Sequence, residues 1–218
     1  MAERRTPNAE RTNLIAVVTT AGGDHPHVAV RVSAPLCEYL SWRRFLSDQL
    51  TVATMARDIA RAIGDLRNEA DFWNNLGSAL QDLHRFNEAI AVLQRARDLY
   101  QQIDDCHSEA DAWNNLGLTP RSVHHYDEAI TVHERARDLY QQIGDLHREA
   151  GAWSNLGLTL REVQQMFEAM HAFQRAAVLY AEAQDDDRRQ VLRLLSSARD
   201  AHERLRREAL ARIIGSHS

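Results

Sequence analysis

Lysine is absent from this chain, and all 26 basic residues are arginine. A phosphate-binding loop of the G-x-x-x-x-G-K-[ST] kind is therefore excluded. Cysteine is almost absent as well, since Cys37 and Cys106 make no CxxC pair, which argues against a disulfide framework or a zinc site and fits a reduced, cytoplasmic setting. Only four prolines and nine glycines interrupt a sequence rich in Ala, Leu, Arg, Glu and Gln. Those are strong helix formers, so an all-α chain is expected. No apolar run approaches the roughly 20 residues that span a bilayer. Leu14 to Val18 is too short for the core of a secretion signal. The net charge of −5 disfavours a general nucleic-acid binder. Charge is uneven, however, because residues 188–213 hold eight arginines against Asp200, Glu203 and Glu208.

What is present is a repeat. Trp73, Trp113 and Trp153 are 40 residues apart, inside Ala70-Asp-Phe-Trp-Asn-Asn-Leu-Gly77, Ala110-Asp-Ala-Trp-Asn-Asn-Leu-Gly117 and Ala150-Gly-Ala-Trp-Ser-Asn-Leu-Gly157. Arg95 to Ile103 recurs unchanged as Arg135 to Ile143. A decayed copy precedes these, with Ala56-Arg-Asp-Ile59 and Ile63-Gly-Asp65 in register and Leu36 and Leu40 matching Leu76 and Leu80. Trp73, Leu76, Gly77 and Leu80 form one helical stripe, and Ala89, Leu93, Ala96 and Tyr100 another, so each unit reads as a helix pair. Gly64 and Gly144 suit left-handed helix ends, and Asp65, Asp105 and Asp145 suit the following N-caps. Gly77, Ala89 and Ala96 would let the paired axes approach. Tyr100, Tyr140 and Tyr180 fall at equivalent positions and read as repeat packing.

These residues resemble the tetratricopeptide repeat (TPR) signature over about residues 24–184, with a period longer than the usual ~34. The resemblance implies an all-α, right-handed helical-hairpin solenoid of four 40-residue repeats, at about 24–64 (degenerate), 65–104, 105–144 and 145–184. A disordered segment over 1–8 and a leading helix over 9–22 are expected before it, then a capping helix over 185–213 and a tail over 214–218. Pro120 stands where the signature wants a large apolar residue, so a kink or early helix end is expected there. Residues Ala9 to Val18 with Leu36-Cys-Glu-Tyr-Leu40 also look like the stretch leading into the repeats of actinobacterial NTPase-type transcriptional regulators, the Streptomyces antibiotic regulatory protein kind. That resemblance implies a repeat sensor without its switch, either stand-alone or truncated.

At 100° per residue, Asp71, Asn75, Ser78 and Asp82 lie opposite the core stripe, on the face that lines the concave groove of TPR arrays. Equivalent positions are Asp111, Asn115, Leu118 and Ser122, then Gly151, Asn155, Leu158 and Glu162. Asn carries a donor and an acceptor, so Asn75, Asn115 and Asn155, with Asn74 and Asn114 beside them, can hold an extended peptide's backbone, or else brace neighbouring helices. Leu118 and Leu158 offer apolar pockets, and Arg121 and Arg161 offer partners for acidic groups.

Apolar residues at 191, 194, 195, 198, 201, 205 and 209 would seal the array's end. Their near-heptad spacing also permits a homodimer, and the arginines permit docking onto an acidic surface or a nucleic acid, the weakest of the options. No catalytic triad spacing, cofactor motif or metal-ligand set is evident. His84 with His124 and His107 with His147 lie one period apart, without a carboxylate or cysteine at ligand spacing. The expected function is a non-catalytic, cofactor-free protein- or peptide-binding module, an adaptor or sensor. The alternatives are a regulatory fragment or partner of an NTPase-switch transcriptional regulator and, more distantly, a metal-dependent enzyme.

Overall fold

The computed structural model describes residues 7–122 and 125–215, with side chains for 12–119 and 125–208. Among the described residues it contains ten helices and no strand: α1 (Pro7–Asp24), α2 (Pro26–Trp42), α3 (Leu46–Ala62), α4 (Leu66–Asp82), α5 (Phe86–Gln102), α6 (Cys106–Ser122), α7 (Tyr126–Ile143), α8 (Leu146–Glu162), α9 (Met166–Glu182) and α10 (Arg188–Gly215). From α2 to α9 every helix spans 17 or 18 residues, about 26 Å. The 40-residue period is thus two such helices and two tight turns.

The turns recur at 20-residue intervals. Arg44, Gly64, His84, Asp104, Gly144, Gln164 and Gln184 all adopt positive φ, between 55° and 79°. Only two of them are glycine, so five side chains sit in a conformation that costs an L-residue energy. Each helix after a Gly-Asp or Asp-Asp turn is then capped from its own side chain. The carboxylates of Asp65, Asp105 and Asp145 accept the N–H of Asn68, Ser108 and Arg148 at 3.1, 3.2 and 3.0 Å.

Contacts divide the chain into two compact units, residues 1–119 and 120–218. In the first, α1 packs on α2 and α3, and α2 to α5 pack in sequence. One core joins Leu36, Leu40, Val52, Ala56, Phe72 and Leu76, and a second joins Ala70, Ala96, Leu99, Tyr100 and Ala112. In the second unit α7, α8 and α9 pack in sequence and α10 lies on α9, burying Val191 and Ala198 while Leu205 stays 40% exposed. Helix α1 begins two residues before the expected start and ends two after it, opening on Pro7, whose missing N–H costs nothing in a first turn. Asp185 accepts the N–H of Asp187 at 2.8 Å in the turn before α10, so the helix opens at Arg188.

Pro120 does not end its helix early. Helix α6 continues to Ser122 and matches the 17 residues of α4 and α8. The side chains of Pro120 and Arg121 lie outside the described residues.

Small residues set the distance within the α4–α5 and α8–α9 hairpins. A Cβ added to Gly77 would come within 2.4 Å of the Leu93 side chain, and one on Gly157 within 2.7 Å of Phe173. Between layers a different device repeats. Glu69, Glu109 and Glu149, at most 7% exposed, accept the indole N–H of Trp73, Trp113 and Trp153 at 3.3, 3.1 and 3.2 Å. From the preceding helix, Arg57, Arg97 and Arg137 lie 4.4, 4.6 and 4.6 Å from the same ring centres. The carboxylates of Asp58, Asp98 and Asp138 hold those guanidinium groups in place.

Gly77→Ala is expected to destabilise the chain by up to about 2 kcal/mol. Overpacking of roughly 1–3 kcal/mol outweighs the helix-propensity gain of about 1 kcal/mol. Urea unfolding measures the difference, and an unchanged midpoint would mean that Leu93 yields freely.

Candidate functional site

Helix α2 and helix α4 present the same repeat face to one cleft of about 850 Å³ in the first unit. Ala34, Pro35, Glu38, Ser41 and Trp42 line it from α2, at the three-to-four-residue spacing of one helical stripe. Asp71, Asn74, Asn75 and Ser78 line it from α4, while Gln49 and Tyr100 close its floor from α3 and α5. Asn74, Asn75 and Ser78 are half-buried. This is the face opposite the core stripe, as the 100° rotation requires.

The floor is rigidly tied. Tyr100, buried by its ring, donates its hydroxyl to Asp71 Oδ1 at 2.7 Å. Burial pushes the Asp71 carboxyl above its ordinary pKa, opposed by the Tyr100 hydrogen bond and by Arg67, and reinforced by Asp105 and Asp65. Burial, and then the Asp71 charge, push the Tyr100 hydroxyl far above its usual range. Arg67 is itself paired with Asp105 at 2.7 Å. Burial also pushes the Cys37 thiol to about 12, which removes it from nucleophilic chemistry near neutral pH.

The sequence-designated residues divide by location. Asn74, Asn75 and Ser78 come together in the cleft. Asp82 does not join them, being paired with Arg44 at 2.9 Å. Asn115 donates to Asn74 Oδ1 at 3.1 Å, and its carbonyl accepts Gln81 Nε2 at 2.7 Å, so this pair braces α4 against α6. Asn114, Asn155 and Leu118 are half-buried and engaged in contacts of their own. Leu158 leans on the core of the second unit, and Arg161 approaches Glu162 at 3.9 Å. The side chain of Arg121 is not described, as noted above.

Trp42, Glu38 and Gln49 are among the contributors that escaped the sequence reading. Trp42 lies outside the tryptophan register, Glu38 occupies the groove position of Ser78 one period earlier, and Gln49 stands where Ala89, Ala129 and Ala169 stand in the other repeats. Those departures inside the decayed copy were the available signal. Among the described residues no group of three or more His, Cys, Asp and Glu converges as a metal site, and no helix is long and apolar enough to cross a membrane.

Residues 68–142 match the tetratricopeptide repeat family. No curated protein matches the chain in sequence. Among solved structures, BtubC (BKLC) from P. vanneervenii is similar at a TM-score of 0.76 and 16% identity, covering 89% of this chain and 82% of that one. The apo form of RapI is similar at a TM-score of 0.73 and 11% identity, over 80% of this chain and 64% of RapI. A Rap protein complexed with competence and sporulation factor is similar at 0.64 and 15%, over 79% of this chain and 53% of that protein. The chain therefore spans between half and two thirds of the two Rap proteins. At these identities the likeness shows the fold alone, which is the all-α TPR type.

Asp71→Asn tests the floor. A carboxyl whose pKa is raised on folding contributes stability that is present below its unfolded value and is lost as pH rises through the folded value. Asparagine keeps an acceptor for Tyr100 without the ionisation. The variant is expected to be more stable than wild type at about pH 7, with the advantage fading toward about pH 3, as measured by urea midpoints. A wild type that is the more stable at neutral pH would contradict the assignment.

Proposed function

We propose that this chain is a non-catalytic peptide-binding module, an adaptor or sensor of the cytoplasm, that takes an extended segment of a partner along the α2–α4 cleft. The observation that carries the reading is the convergence of the half-buried Asn74, Asn75 and Ser78 on one open cleft walled by two helices. Amide and hydroxyl groups there supply donors and acceptors to a peptide backbone whatever its sequence, while the Tyr100–Asp71 bond fixes the floor beneath. A Rap-type neighbour whose structure is described as complexed with competence and sporulation factor adds weight. The NTPase-partner alternative rests on the resemblance at residues 9–18 and 36–40, and no feature of the cleft favours it.

Of the three groove asparagines, Asn75 is expected to matter most, because Asn115 already holds Asn74. For a partner captured from the native host, Asn75→Ala should weaken binding by about 3–10-fold, the value of one or two hydrogen bonds, with helix content unchanged by circular dichroism. The triple variant with Asn115→Ala and Asn155→Ala should add little. Affinity that survives all three substitutions intact would refute the reading.

A further inference from the structure

One side chain lining the cleft carries a polar atom that nothing in the fold uses. Gln49 is only 3% exposed, and its Oε1 has no hydrogen-bond partner. Burying an acceptor without a donor is costly, and the cost is relieved only if a donor arrives. At the equivalent position of the three intact repeats, Ala89, Ala129 and Ala169 are fully buried, so a methyl group meets the packing requirement there. The first repeat instead places a carboxamide at the floor of an open cleft.

Two further features select the chemistry of the donor. The charged residues lining the cleft are Glu38 and Asp71, and among the described lining residues none is basic. At the rim Trp42 is 77% exposed, more than any other large hydrophobic side chain among the described residues. Its ring already has one guanidinium nearby, that of Arg43 at 5.9 Å from the ring centre. A buried acceptor, two carboxylates and an aromatic face together match a planar cation that carries donors only. Guanidinium is that group, since its five N–H donors have no acceptor to satisfy and the apolar stem that carries it can lie along an indole.

We propose that the α2–α4 cleft is a specificity pocket for an arginine side chain of an extended peptide. The Gln49 carboxamide turns its Oε1 into the cleft to accept from the guanidinium, Glu38 and Asp71 supply the counter-charge, and the aliphatic stem lies along Trp42. The proposal rests on the peptide-binding reading above and adds the side chain that is read. Asn75 and Ser78 remain for the backbone beside it, and a cleft of about 850 Å³ has space for both.

The test uses the full chain and a bead-bound library of random heptapeptides, acetylated and amidated. Enriched peptides are expected to carry arginine at one fixed position. Replacing that residue by citrulline, which keeps the shape and loses the charge, should weaken binding by about tenfold or more in calorimetry. Gln49→Leu should weaken the arginine peptide by about tenfold and leave its alanine version unaffected. If Gln49→Leu does not fold, Glu38→Gln decides, because Glu38 is exposed and its loss threatens no core. Enriched peptides that lack basic residues, yet lose affinity with Asn75→Ala, would overturn the arginine pocket and leave peptide binding standing. Absence of any enrichment would overturn both.

Discussion

Each intact layer of this protein is fastened to the one before it through a tryptophan held on two sides. A nearly buried glutamate from the same helix accepts the indole N–H, and an arginine from the preceding helix covers the ring, itself held by the neighbouring aspartate. The guanidinium–indole contact is worth about 0.5–2 kcal/mol according to its exposure. Its structural consequence is larger than its energy. An N–H that points one way and a guanidinium that must lie over the ring fix the rotation of one helix against the next, which hydrophobic contact alone would leave loose. Within a hairpin, the glycine beneath Leu93 or Phe173 sets the spacing of the two axes.

With rotation and spacing fixed, every repeat presents the same positions in the same places. The burial pattern around Trp73, Trp113 and Trp153 is accordingly identical from residue 71 to 79, 111 to 119 and 151 to 159. Sequence differences at equivalent positions then translate directly into differences of surface. In the first repeat, Ala34 and Pro35 replace the asparagine pair, Glu38 replaces Ser78, and Gln49 replaces the packing alanine. A regular scaffold with one irregular layer thus yields one irregular, acidic and polar cleft. Decay of the repeat signature and acquisition of a site are, on this account, the same set of substitutions.

Much of this was legible in the sequence. The 40-residue interval, the close approach at Gly77, the aspartate caps and the two turn glycines all appear in the structure in the roles their chemistry assigns. That Asp71, Asn75 and Ser78 share one face of α4 was legible too, because rotation about a helix is fixed once its buried stripe is known. What was not legible depends on contacts between distant segments. That Asn115 reaches Asn74 and spends its amide there needs the spacing of α4 and α6. That the Tyr100 hydroxyl meets Asp71, 29 residues away, makes a packing residue part of the cleft floor. Pro120 argued for a shortened helix, yet α6 keeps its full length. The turns with positive φ at His84, Asp104 and Gln164 carry no glycine to announce them and follow only from the 20-residue spacing of the others.

The most direct test of the account follows the four indole N–H signals of the full chain by heteronuclear NMR while an arginine-bearing heptapeptide is added. The account predicts that the Trp42 indole signal and the Gln49 side-chain amide signals move together and saturate at one concentration. Trp113 and Trp153, whose N–H groups are bound to Glu109 and Glu149, should stay where they are. Shifts centred on Trp113 or Trp153, with Trp42 unmoved, would contradict it.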